Sequence, residues 1–356
     1  MKRRVFAVLL GMVVMTTLLF TGCGKSAPDS SKNDTNTPAP SSGPAKKAKI
    51  LTLTFAPASG SAHDKASLEF AKLVEEKTNG AYKVEVYPNS QLAGGNQLTA
   101  IEMVQKGAID FGWLSPLVQT SIVPDLGAMS IPWLWKDVET IDKTLSPGTP
   151  AFQKIYDLLY AKDFVVLGFG ENGFRQVTNN TKELKSPEDF KGIKFRVIGN
   201  KMLLDVFKAF GANPTDINFS EIFTALQQKT IDGQENPVST IIIPNKFYEV
   251  QKYITLWDYS YEPHPFQTNK KLWDSFDDAT KKAIQEAAIE ACKLQKEYAR
   301  ADYENDLKKL EEADMKVYKP TAEEMKVFKD TAAPVVEKYL PEYDQKLVTL
   351  LKDANK

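Results

Sequence analysis

Between Ile50 and Trp113, strand and helix signals alternate without a break, and few architectures accept that pattern. Ile50-Leu-Thr-Leu-Thr-Phe55 reads as a short apolar strand. In the helical pattern that follows, Ala66, Phe70, Leu73 and Val74 share one face and Asn79-Gly80 supplies the stop. Tyr82 to Tyr87 alternates as a second strand and ends at Pro88. Leu98, Ile101 and Val104 mark another helix that stops at Lys106-Gly107, and Ala108 to Trp113 reads as a third strand. Such alternation predicts α/β layering with a largely parallel sheet. A second α/β unit begins near Phe164. Its strand signals lie at Phe164-Val-Val-Leu167, at Lys194-Phe-Arg-Val197 and around Ile231, with helices near Met202 to Phe210 and Glu221 to Gln228. The C-terminal third is mostly helical. From Asp278 to about Asp314, a polar run carries Ile284, Ala287, Ala288, Ala291, Leu294 and Tyr298 at helical spacing, and its length predicts a helix that crosses from one domain to the other.

The first residues follow a different logic. Lys2-Arg3-Arg4, an apolar run from Val5 to Phe20 and then Thr21-Gly22-Cys23 have the basic and apolar regions of a secretory leader in order. The apolar run falls short of the ~20 residues a bilayer core needs, which argues against a spanning helix. Cys23 after small residues resembles a bacterial lipobox, so 1–22 is expected to be a lipoprotein signal peptide and Cys23 the lipidated N-terminus, anchored to the outer face of the cell membrane or in the periplasm. From Gly24 to Lys47 no large apolar residue occurs. This stretch, counted as 23–47 with the anchor, cannot bury enough surface to fold and is expected to act as a tether a few tens of ångströms long. Removing Lys2, Arg3 and Arg4 from a chain of formal charge −1 leaves −4. With acids and bases interleaved along the rest, the basic face that nucleic acid requires is missing. Cys292 is the one other cysteine, so lipidation of Cys23 leaves no intramolecular disulfide; in its Ala-rich helical stretch Cys292 reads as a small buried hydrophobe.

Motifs of catalysis are thin. Gly168-Phe-Gly170-Glu-Asn-Gly173 matches the dinucleotide fingerprint after a strand, but β-formers and a turn follow where a helix should open. These glycines are read instead as a flexible crossing between domains, and no cofactor is expected. His63 and His264 each stand alone, as ligand-contacting or solvated loop residues, without the partner spacing of a metal site. Neither H-E-x-x-H nor G-x-S-x-G occurs. Arg175 and Arg196 differ in kind, because each sits among apolar or β-type neighbours. The alternation in Lys194-Phe-Arg-Val-Ile198 sends Phe195 and Val197 to one face and Arg196 to the other. A strand-end Arg at a cleft suits a carboxylate clamp, while an internal salt bridge serves a half-buried Arg equally well. The residues alone leave both open.

A set of ordered stretches resembles the substrate-binding proteins of TRAP transporters, the dicarboxylate-receptor (DctP) type. They are Phe70-Ala-Lys-Leu-Val-Glu-Glu-Lys-Thr-Asn-Gly80, Val86-Tyr-Pro-Asn-Ser-Gln-Leu92, Gly173-Phe-Arg-Gln-Val-Thr-Asn179, Phe190-Lys-Gly-Ile-Lys-Phe-Arg-Val197, Phe219-Ser-Glu-Ile-Phe-Thr-Ala-Leu-Gln227, Asp232-Gly-Gln-Glu-Asn-Pro237 and Phe247-Tyr-Glu-Val-Gln-Lys252. The resemblance implies an α/β, two-lobed periplasmic-binding-protein-like fold with a long helix spanning both lobes. Lobe I is expected at 48–172 with 262–301, and lobe II at 173–261 with 302–356. It also implies that Arg196 carries the main salt bridge to a ligand carboxylate, with Arg175 and Asn236 assisting. Phe55, Trp113, Ser115 and Tyr259 are candidates for the pocket wall. Ser115 and Ala56 stand where sialic-acid receptors carry an acidic residue and an Asn, which argues against sialic acid. The implied role is capture of a small organic acid for ion-gradient-driven TRAP membrane subunits, as a monomer and not as an enzyme. A receptor for an ATP-driven importer or chemosensor and a secreted enzyme on the same scaffold are the alternatives.

Overall fold

The computed structural model describes residues 47–356, so the leader, Cys23 and nearly all of the expected tether lie outside the described residues. The first strand, β1 (Lys49–Phe55), turns Leu51, Leu53 and Phe55 inward. Helix α1 (Ala62–Lys77) starts where the Ser61 side chain accepts from the Asp64 backbone N–H, and it ends before Asn79 and Gly80, both with positive φ. It returns the chain to β2 (Tyr82–Tyr87), parallel to β1. Helix α2 (Gln97–Lys106), capped by Asn96, stops at Gly107 in the left-handed conformation and delivers β3 (Phe111–Trp113), also parallel to β1. This strand is shorter than the sequence suggests: Ala108 to Asp110 form the turn out of α2.

The second unit contributes β5 (Lys194–Arg196), α3 (Lys201–Ala209), β6 (Asn213–Thr215) and β7 (Gly233–Asn236), with β5 parallel to both β6 and β7. Joining the units are two long strands, β4 (Phe164–Asn179) and β8 (Tyr253–Asn269), paired antiparallel from Phe164↔Asn269 to Asn179↔Tyr253. The sheet order is therefore β2-β1-β3-β8-β4-β7-β5-β6, with β9 (Lys316–Tyr318) beside β8. The expected parallel pairing holds at the two ends. The centre is antiparallel because the chain crosses between units once in each direction.

Gly168, Gly170 and Gly173 are part of β4, which corrects their reading as a flexible crossing. The first two are required by close packing: a Cβ on Gly168 would lie 2.8 Å from Cys292 Sγ, and one on Gly170 would lie 2.8 Å from Trp113 Cζ3 and closer still to the Gln295 side chain. Gly173, at φ +107, falls at one of the register shifts that rotate side chains along the strand.

The long C-terminal run is two helices: α4 (Asp278–Ala301), then a break at Asp302, then α5 (Tyr303–Glu312). Ile284, Ala287, Ala288, Ala291 and Cys292 of α4 pack with β1, α1 and the first half of β4 in one core cluster. A separate cluster joins Ile222, Leu226, Ile242 and Ile254 to Leu310 and Met315. The broadest cluster extends from Ile101 and Val104 to Phe190, Phe207 and Trp257. Cys292 is buried, and burial pushes its thiol well up, as its reading as a small hydrophobe requires. Among the described residues no helix is long and apolar enough to cross a membrane.

Candidate functional site

Neighbouring strands bring their charged residues to one place. Arg175 on β4 sits between β7, which carries Glu235, and β8, which carries Glu262; all three are fully buried. The Arg175 Nε donates to Glu235 Oε2 and its Nη1 to Glu262 Oε2. Its Nη2 donates to Glu235 Oε1 at 3.0 Å, to the Glu235 carbonyl at 2.8 Å and to Asn236 Oδ1 at 3.1 Å. Burial alone would weaken the Arg175 charge, but Glu235 and Glu262 outweigh it and raise the guanidinium pKa. Burial likewise opposes the Glu262 charge. Arg175, followed by His264 and the donors Asn172 and Ser115, holds that carboxyl below its ordinary value.

Arg196 ends β5, next to β7, and is 2% exposed. Its environment is the reverse of that around Arg175. The Nε donates to the Ile217 carbonyl at 3.2 Å, and Nη1 is buried with no partner. Burial lowers its pKa, Glu235 opposes that, and Arg175 adds to it. The Asp216 carboxyl is raised by partial desolvation against the pull of Arg196, although the residue as a whole is exposed. A buried guanidinium nitrogen without an acceptor costs free energy unless something arrives to accept from it.

Arg196 borders a tight, nearly filled cavity with free space of about 10 Å³, room for one water at most. Residues of the first unit, including Ala56, Gln97 and Ser115, face residues of the second, including Arg196, Phe219 and Asn236. At the rim, the position of a Cβ on Gly95 lies 3.0 Å from the Ser220 side chain, so the two sides meet.

The sequence candidates distribute unevenly over this site. Arg175, Arg196, Asn236 and Ser115 line the cavity together. Trp113 and Phe55 line a neighbouring small gap that shares Ala56, Gln97 and Ser115 with it. Tyr259 lines neither; its hydroxyl donates to Glu235 Oε2 at 2.7 Å while its ring packs on Trp257.

The histidines are neither solvated nor alone. His264 Nδ1 lies 2.7 Å from His63 Nε2, both rings are buried, and His264 lines the cavity. Burial lowers His264 to about 4, opposed by Glu262 and reinforced by Arg175; burial and then His264 depress His63 well below its ordinary value. The pair meets because α1 packs over the sheet opposite β8, a contact that spans more of the chain than any spacing rule covers. Among the described residues no group of three or more potential ligands for a metal gathers.

Glu235, Glu262 and Asn172 were missed by the sequence reading. Asn172 donates to Glu262 Oε2 at 2.8 Å, while its Oδ1 is buried without a partner. Ser115 donates to Glu262 Oε1. An acid does therefore stand beside Ser115, supplied by β8 rather than by the chain after β3. The signal that could have found it is a charged residue inside the aromatic run Tyr259-Ser-Tyr-Glu-Pro-His-Pro-Phe266.

The chain and its fold resemble known proteins. The family model described as bacterial extracellular solute-binding protein, family 7 (DctP) matches residues 54–342. The 2,3-diketo-L-gulonate-binding periplasmic protein of Escherichia coli is 33% identical over 256 residues, 71% of this chain and 75% of that one. A sugar acid binding protein from Advenella mimigardefordensis, solved with galactonate, superposes with a TM-score of 0.82 at 35% identity, covering 87% of this chain and 98% of that one. A TRAP periplasmic solute binding protein from Shewanella oneidensis, solved with succinate, gives 0.81 at 29% identity, covering 87% of this chain and all (100%) of its own.

Proposed function

Because the chain belongs to the DctP family of bacterial extracellular solute-binding proteins, we propose that it captures a small organic acid between two lobes and delivers it to the membrane subunits of a TRAP transporter. The observation that carries this reading is the buried Arg196 with an unpartnered Nη1 on a cavity bordered by both units. A ligand carboxylate supplies the missing acceptor, and exclusion of water strengthens the pairing. Arg175, paired with two carboxylates, acts through Asn236 and Glu262 by holding them in place. Solved relatives with galactonate and succinate are consistent with a carboxylate ligand. No group in the cavity is needed for a chemical step, since binding and release are the whole task.

The finer points form part of the same proposal. Lobe I comprises 48–172 with 262–301 and lobe II 173–261 with 302–356. The receptor is an extracytoplasmic monomer, not an enzyme, held to the membrane by lipid on Cys23.

Calorimetry on Arg196→Ala tests the clamp. Removing one partner of a desolvated charge pair should cost on the order of 2–5 kcal/mol of binding, and Arg196→Lys should also bind poorly because it lacks the planar fork. Arg175→Ala in the same series should lose folding stability first, since it leaves two buried carboxylates unpaired. Binding by Arg196→Ala within about threefold of wild type, with matched melting temperatures, would move the clamp elsewhere.

A further inference from the structure

We propose that the acid this cavity selects is a short hydroxylated monocarboxylate, and that it discriminates against acids carrying a second carboxylate. The inference rests on Arg196 as the clamp for the first carboxylate, and it follows from counting the charges and orphan groups around it.

Arg175 and Arg196 bring two positive charges to the buried cluster, and Glu235 and Glu262 bring two negative ones. Burial keeps His63 and His264 on the neutral side of their titration at pH 7. Among the described residues the fully buried cluster is thus formally neutral before a ligand enters. One carboxylate takes it to −1. A second takes it to −2 among fully buried groups. Arg175 offers no second bidentate clamp, because Nε and Nη2 are engaged and at most one Nη1–H is left over. Lysine is absent from the cavity wall.

What the wall does offer beyond Arg196 is acceptors. Glu262, whose oxygens already accept from Ser115, Asn172 and Arg175, adds negative charge to the wall, and the buried Asn172 Oδ1 is an acceptor with no donor. A ligand hydroxyl supplies the proton that such an acceptor lacks, whereas a second carboxylate would set acceptor against acceptor.

The test is calorimetry at pH 7.5 on the mature protein, stripped of copurified ligand by unfolding and refolding, with acids of equal carbon number: threonate against succinate and L-malate. Threonate should bind at least about tenfold tighter than either diacid. Succinate or malate binding as tightly as threonate overturns the inference while leaving the carboxylate clamp intact. Binding of none of the three, nor of longer monocarboxylates, overturns the clamp and with it this selection. A second arm uses Glu262→Gln, which removes one negative charge and keeps the shape; the preference for threonate over succinate should narrow by about tenfold. An unchanged ratio in a folded variant removes the charge argument. Should that variant fail to fold, Asn172→Leu should weaken threonate and leave succinate unchanged, and equal weakening of both would refute the hydroxyl role.

Discussion

Two arginines of the same chain, both in β-type surroundings, have opposite fates. Local sequence leaves a clamp and an internal salt bridge equally open for each, because the deciding partners are remote: Glu235 and Glu262 lie 60 and 87 residues from Arg175. Alternation does foretell that Phe195 enters the core and Arg196 faces away from it, a matter of neighbouring residues only. Asn236 could be picked out by its family motif, yet the adjacent Glu235 could not, since only pairing of β4 with β7 shows what it neutralises. The histidine pair is the same lesson in stronger form. It also yields a pH dependence. His264, at an ordinary ~6.5 when unfolded and about 4 when folded, binds its proton more readily in the unfolded chain. Stability is therefore complete above pH 6.5 and is lost as pH falls from there through about 4, by roughly 3 kcal/mol for this group. His63, Glu262 and Arg175 face it, and the protein has no further histidine. Urea unfolding of ligand-free protein should lose stability between pH 6.5 and 4.5, above the range where carboxylates titrate, and His264→Gln should flatten that slope. A flat wild-type profile would refute this.

At the scale of elements, periodic segments were legible and connections were not. The helices at 62–77, 97–106 and 201–209 announce themselves by apolar spacing and by Asn or Gly stops. The run from Asp278 conceals its break, because Asp302 continues a polar, charged pattern that suits a helix surface on either side. The glycines of β4 were legible as unusual, but their cause lies across the sheet in Cys292, Trp113 and Gln295. Gln295 donates to the Glu171 carbonyl at 2.8 Å and accepts from the Glu171 N–H at 2.7 Å, which ties α4 directly to the middle of β4. Arg300, one turn further on, pairs with Glu171 and Asp142. A methyl group at Gly170 must displace both Gln295 and Trp113, so Gly170→Ala should cost about 1–3 kcal/mol in urea unfolding. A neutral result would mean that α4 sits on β4 more loosely than these distances require.

For the whole molecule, the sequence indicated two α/β units, and the structure adds how they are joined. The units share one sheet, and Gly95 meets Ser220 where the two units close on each other. If ligand drives this closure, small-angle scattering should give a smaller radius of gyration with a bound acid than without, and an unchanged radius at saturation would count against it. The joint itself sets the mechanics. A linker of free backbone turns at almost no energetic cost, but β4 and β8 are hydrogen-bonded to each other through the crossing, so the units can rotate only by changing the twist of a paired ribbon. Such a ribbon behaves as a torsion spring. If ligand closes the cleft, binding does elastic work on this ribbon, and that work is returned as torque tending to open the cleft when the ligand leaves.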